Sequence, residues 1–279
     1  MVERVFRYVM ADHPEIFYAD GYEVTTYRLG TEIRRITFTG TWTLESDEVL
    51  SRRAQLEAAA ALWLEGLPDG TDDFEKAKYI SDVLILRTEY EQGSADSQTI
   101  CSVLLNQRSV CQGYAKTFQY LCQLAGIPAM LVTGDVNGEG HAWNIVEING
   151  EQYYVDATNG DQPAFLEGGA VSLEEHKTTI YDYLCPFPQE YEQLYTASDE
   201  FPVPECTATD LNFYVLNQAC FDTYDEQQIY DFCCMRLENG AAVVRFKFTS
   251  QEAFDEACQQ WIQEGLSLIH ISEPTRRRG

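Results

Sequence analysis

Val110-Cys111-Gln112-Gly113-Tyr114-Ala115 is followed thirty positions on by His141-Ala142-Trp143-Asn144, and then by Tyr153-Tyr154-Val155-Asp156-Ala157. Cysteine, histidine and aspartate in this order set both the fold and a chemistry. Cys111, Ala115, Phe118, Cys122 and Ala125 recur at spacings of four and three, and Gly126-Ile127-Pro128 then stops the run. That pattern predicts a helix with Cys111 in its first turn. A thiol there feels the positive end of the helix dipole and faces backbone N–H groups that lack helical partners. Both effects favour thiolate over thiol and prepare a place for an oxyanion.

The other two residues are related through a hairpin. His141 to Ile148 alternates as a strand, Asn149-Gly150 is the preferred two-residue type I′ turn, and Glu151 to Ala157 runs back. Ile148 then pairs with Glu151, which sets Trp143 opposite Asp156 and His141 opposite Thr158. Asp156 becomes a diagonal neighbour of His141 on one face, roughly 7 to 8 Å away between α-carbons. A carboxylate there can hold the imidazole in one tautomer while the other ring nitrogen turns to Cys111. A slip of one residue in register would send Asp156 to the opposite face. The expected class is α+β, with a helix bearing the cysteine packed on an antiparallel sheet bearing the histidine and aspartate.

Ser109-Val110-Cys111-Gln112-Gly113-Tyr114-Ala115, Gly138-Glu139-Gly140-His141-Ala142-Trp143-Asn144 and Tyr153-Tyr154-Val155-Asp156 together resemble the bacterial transglutaminase-like superfamily. The resemblance is strongest over residues 72–188. It implies a papain-like core in which Cys111 is the nucleophile, His141 the general base and acid, and Asp156 its orienter. Related enzymes supply a side-chain donor to the oxyanion before the nucleophile, which makes Tyr90 and Gln98 candidates here. Trp143 shares the face of the histidine and is a candidate wall of the substrate cleft, with core packing as its alternative role. One departure follows the aspartate. Many relatives read Asp-x-Thr-Trp-Gly-Asp, whereas this chain has Asp156-Ala157-Thr158-Asn159-Gly160-Asp161 and so lacks an aromatic wall.

Composition narrows the function further. A hydrophobic share of 45% with 13% aromatics over 279 residues describes a globular chain with a real core. A formal charge of -26 argues against binding phosphate backbones, and no nucleic-acid partner is expected. No apolar run reaches the eighteen or so residues that span a membrane. Met1 leads directly into an amphipathic segment with no signal peptide, so localisation stays open. An exported or surface location fits if the start is truncated. The other cysteines, at 101, 122, 185, 206, 220, 233, 234 and 258, have no paired C-x-x-C spacing that marks zinc, and neither metal nor cofactor is called for.

Along the chain, residues 1–70 read as an N-terminal module. It holds a helix ending near His13-Pro14, strands over 23–29 and 34–44 around a turn at Gly30-Thr31, and a helix from Ser46 to Gly66. Residues 71–200 read as the catalytic core, opened by a cap in which Asp72 and Glu75 are paired. A further strand is expected over 178–184, and the segment 189–205, with Pro202 and Pro204, reads as a boundary. Residues 201–265 read as a small, truncated α+β module with a helix over 225–239, a strand over 241–248 and a helix capped by Thr249. Residues 266–279, beginning Leu266-Ser267-Leu268-Ile269-His270, read as translated sequencing adapter and are set apart from the fold.

Each residue also has a plainer role. Cys111 alone would be a buried thiol, His141 alone a strand histidine, and Asp156 could cap a turn. Taken together they point to cysteine-dependent acyl transfer on protein or peptide amide bonds, by hydrolysis or cross-linking. The alternative is a catalytically silent binding or scaffolding protein built on the same core.

Overall fold

The structure is a computed structural model and describes residues 2–161, 180–241 and 244–263. The adapter-like tail lies outside the described residues. The chain clusters into two compact units. The first takes the described residues up to 161 with 180–208, and the second those from Thr209 on.

The first unit opens with α1 (Val2–Asp12), β1 (Ala19–Leu29) and β2 (Glu32–Trp42). The two strands form a separate antiparallel ribbon turning at Gly30, whose φ is 63°, and most of their residues are exposed. Phe6 of α1 packs on Tyr22 and Phe38, at 4.8 and 6.5 Å between ring centroids. The helices α2 (Ser46–Leu64) and α3 (Asp73–Arg87) follow. On α2 Leu56, Ala60 and Trp63, at spacings of four and three, are the buried residues. The side chain of Asp72 caps α3 by accepting the Glu75 N–H at 2.8 Å, so the predicted start is real.

A two-residue strand β3 (Glu89–Tyr90) and the short helix α4 (Ile100–Leu104) lead to β4 (Arg108–Ser109) and α5 (Cys111–Leu124). β3 and β4 pair in parallel, Tyr90 beside Ser109. Ile80 and Leu84 of α3, Ile100 and Val103 of α4, and Phe118 and Leu121 of α5 are fully buried. Each such side chain contributes roughly 1.5–3 kcal/mol relative to exposure.

The sheet is built from β5 (Ala129–Val136), β6 (Glu139–Ile148) and β7 (Glu151–Val155). Asn149 and Gly150 both have positive φ, 56° and 85°, as a type I′ turn requires. Ile148 pairs with Glu151 and the same register runs out to Asn144 with Val155. There the ladder stops, short of the expected pairs Trp143 with Asp156 and His141 with Thr158. Asp156 leaves the strand to cap α6 (Ala157–Gly160), accepting the Asn159 N–H at 3.0 Å. Opposite His141 stands Gly134 of β5 instead of Thr158.

The strand expected over 178–184 is also different. Residues 178 and 179 lie outside the described residues, Tyr181–Tyr183 form a 3-10 turn, and Leu184 makes one bridge to Val155. The segment expected as a boundary contributes α7 (Pro188–Tyr191) and β8 (Tyr195–Ala197). β8 pairs with β5 and completes an antiparallel sheet of order β7-β6-β5-β8. Tyr191 and Tyr195 bury their rings with Val132, Trp143 and Ile145, so burial outweighs the prolines as an organiser of this stretch.

The second unit contains α8 (Phe213–Leu216), β9 (Cys220–Phe221), α9 (Glu226–Glu238), β10 (Lys247–Phe248) and α10 (Gln251–Gln263). Its core gathers Tyr214, Phe221, Ile229 and Phe232. The strand expected over 241–248 is only two residues long, with 242 and 243 outside the described residues. The last helix is capped by Ser250, whose hydroxyl accepts the Ala253 N–H, and not by Thr249. Among the described residues no helix is long and apolar enough to cross a membrane.

Gly113 in α5 tests how the cysteine helix is seated. A methyl group at that position would meet Ser109 Oγ, Ser102 Oγ at 2.8 Å and the Ser97 carbonyl oxygen at 2.8 Å. Helix propensity alone makes Gly113→Ala stabilising by about 0.5–1 kcal/mol. Overpacking against a backbone carbonyl reverses the sign, and thermal unfolding should show a loss of about 1–3 kcal/mol. A melting temperature at or above that of the wild type would mean that the serine cluster yields.

Candidate active site

Cys111 is the first residue of α5, and Val110 before it provides no side-chain cap. The amides of Cys111 and Gln112 have no partner within the helix, so they are free to meet a ligand. The Gly113 and Tyr114 N–H groups both turn back to the Val110 carbonyl, at 3.0 and 3.1 Å. The thiol is partly buried and packs with Ala115, Leu131 and Ala142. Small residues at 115 and 142 let the helix approach the sheet closely. Asn144 then pins the two together, its amide donating to the Ala115 carbonyl at 3.0 Å and to the Met130 carbonyl at 3.2 Å. Tyr114 is fully buried and donates its hydroxyl to Asp161 at 2.7 Å, tying the helix to the segment after α6.

His141 on β6 places Nε2 2.8 Å from Asp156 Oδ2 and has Cys111 near enough to influence its charge. With Nε2 occupied by the carboxylate, Nδ1 is the nitrogen left to meet the thiol. Side-chain exposure is 13% for the histidine and 0% for the aspartate. Burial disfavours the imidazolium, but the hydrogen bonds and charges of Asp156 and Cys111 outweigh it and push the His141 pKa up to about 10. The ring therefore favours the cation through neutral pH, with Asp156 as its acceptor.

Asp156 has more partners than the imidazole. Its Oδ2 accepts the Tyr195 hydroxyl at 2.6 Å and the Asn159 side-chain amide at 2.8 Å, while Oδ1 accepts the Asn159 backbone N–H. Asn159 also donates to the Tyr195 oxygen at 2.6 Å. Capping a turn and facing the histidine are thus both done by one carboxylate, one oxygen for each.

Trp143 is 2% exposed. Its ring stacks behind His141 at 6.2 Å and meets the edge of Tyr195 at 5.2 Å, so it backs the imidazole from the core side and presents no open cleft wall. Tyr90 is 48% exposed on the strand beside Ser109, two residues before the cysteine. Gln98 is exposed in the turn that precedes α4.

Sequence reasoning missed two residues. Asn159 was visible only as a departure from pattern, although an aspartate three residues before it is a cap signal that could have tied the two together. Tyr195 carried no local signal, because its place depends on β8 joining a sheet thirty-nine residues beyond Asp156.

Residues 64–157 match the model of the transglutaminase-like superfamily. Kyphoscoliosis peptidase of Homo sapiens is 32% identical over 111 residues, a match covering 34% of this chain and 17% of that protein. The Mus musculus protein of the same name is 30% identical with the same coverage. The chain thus spans about a sixth of the length of the curated relatives it matches. Among solved structures, a TGase at 14% identity aligns over 57% of this chain and 49% of its own with a TM-score of 0.37. The likeness to the transglutaminase-like superfamily thus lies in residues 64–157, the stretch that carries Cys111, His141 and Asp156.

Proposed function

We propose that the chain catalyses cysteine-dependent acyl transfer on the amide bonds of proteins or peptides. The observation that carries this reading is the hydrogen bond of His141 to Asp156, with Cys111 near enough to the same imidazole to favour its protonated form. The Cys111 sulfur attacks the carbonyl carbon of a carboxamide or peptide bond, and a C–S bond forms as the carbonyl π pair moves to oxygen. Backbone N–H groups at the start of α5 receive that oxyanion, with Tyr90 as the side-chain donor nearest in topology. His141 gives its proton to the nitrogen, the C–N bond breaks, and an amine leaves behind a thioester. Water or a second amine then attacks the thioester, and His141 takes its proton as the Cys111 sulfur departs.

The orientation of His141 supports both halves of this cycle. A cationic imidazole between a thiol sulfur and a carboxylate can act first as acid and then as base without changing place. The silent-scaffold alternative draws on the appended flanking modules and on Asn159, which stands where many relatives carry an aromatic. In this chain Asn159 hydrogen bonds the carboxylate behind His141, and that favours turnover.

Incubation with a glutamine-containing casein and a fluorescent primary amine separates the outcomes. The wild type should release peptides or incorporate amine, and Cys111→Ala should reduce that activity by at least about 10³-fold, as loss of a covalent nucleophile does. Equal activity in the two proteins would rule out the reaction for these substrates. The raised His141 pKa makes a separate prediction for stability. A raised histidine pKa stabilises the fold fully below about 6.5, and the contribution declines as pH rises through about 10. The margin in melting temperature of the wild type over His141→Gln should therefore shrink from pH 6.5 towards 10. A margin that grows with pH would contradict the cationic pair.

A further inference from the structure

A carboxylate has about four lone-pair positions, and one imidazole N–H uses one of them. Asp156 is buried, so any position left empty costs free energy that water cannot recover. In this chain Oδ2 takes the Asn159 amide and the Tyr195 hydroxyl beside the imidazole, and Oδ1 takes the Asn159 backbone N–H. Both donors are themselves held. Asn159 lies on the helix that Asp156 caps. Tyr195 lies on β8, its ring stacked on Tyr191 at 3.6 Å between centroids and set edge-on to Trp143 at 5.2 Å. The phenol cannot swing away without breaking both ring contacts. Burial and the neighbouring carboxylate raise its pKa, so it stays a neutral donor.

We propose that Asn159 and Tyr195 are positioning residues that lock the Asp156 carboxylate in the one rotamer that meets His141. They take the place of the aromatic that the superfamily pattern carries at position 159. The inference rests on the acyl-transfer reading for its kinetic consequence, while its structural content is independent of it. Once the ring has given its Nδ1 proton to the leaving amine, a fixed carboxylate keeps the remaining proton on Nε2, and the Nδ1 lone pair is ready for the proton of the incoming water or amine. With the carboxylate free to turn, the neutral ring divides between two tautomers, and one of them presents N–H where that base is needed.

The test uses Tyr195→Phe, Asn159→Ala, the double variant and Asn159→Trp. Tyr195→Phe keeps the stacked ring and removes only the hydroxyl, so it isolates the hydrogen bond from the packing, and near-UV circular dichroism checks the fold of each variant. In the casein assay each single variant should lower kcat about tenfold with KM unchanged, the size expected for one hydrogen bond to a charged group. The double variant should fall to the level of Asp156→Ala and not to the product of the singles, because the groups act as a unit. Nitrogen NMR of the His141 ring supplies a readout that needs no turnover. Collected in the Cys111→Ala background, which removes the thiol's share of the raised pKa, it should show a single Nε2–H tautomer in the parent. The double variant should show a mixture. Asn159→Trp restores the superfamily residue and should also lose the single tautomer.

A double variant that keeps both wild-type kcat and the single tautomer would overturn the proposal. So would a rise in KM alone with the tautomer intact, which would make Asn159 a cleft wall. If the wild type turns over no amide substrate, the reaction class is wrong, and the NMR arm decides the clamp by itself.

Discussion

The Asp156 carboxylate is removed from solvent yet lies where a strand ends and a helix begins. Desolvating an anion costs several kcal/mol unless hydrogen bonds replace the lost water. Here four donors come from three directions: His141 from β6, Asn159 twice from α6, and Tyr195 from β8. Satisfying that one side chain requires three elements to meet within hydrogen-bonding distance of a point. The site's geometry and the fold's electrostatic needs are thus the same requirement. Breaking any one donor leaves a buried charge short of partners, so loss of the site also weakens the unit.

The motif residues beside the triad each have a mechanical reason. Gly113 is glycine because two serine hydroxyls and the Ser97 carbonyl crowd the space its side chain would fill. Ala115 and Ala142 are small because the helix and β6 touch there. Asn144 fastens that contact through two carbonyls, and Tyr114 fastens the far side of the helix to Asp161. Together they hold the start of α5 against the sheet while leaving its first amides unspent. Preorganised N–H groups are worth most when nothing else competes for them.

Much of this was legible from the letters because it is local. The cap at Asp72, the helix opening at Cys111 and the hairpin around Asn149-Gly150 depend on residues within a turn or two of each other, and the register carried His141 and Asp156 to the same place. What escaped was non-local or a matter of competition. Pairing ended at Val155 because Asp156 gained more by capping α6 than by extending the ladder. The proline-bearing stretch near Tyr195 looked like a linker because its apolar rings find their partners on β5 and β6, far back in the chain. Trp143 was readable as facing the histidine, but whether that face was open or covered depended on Tyr191 and Tyr195, which no spacing rule connects to it.

The type I′ turn has a consequence for the order in which the molecule comes together. His141 and Asp156 are fifteen residues apart and joined by a tight hairpin, a closure that takes microseconds in an isolated chain. Cys111 lies thirty residues upstream on a different kind of element, and Tyr195 thirty-nine residues downstream on a strand at the sheet's far edge. Closing those longer loops has a greater entropic cost and comes later. The His141–Asp156 pair is therefore the oldest part of the site in folding time, and Cys111 joins a pair that is already assembled. A chain caught midway carries an imidazole beside a carboxylate but no aligned thiol.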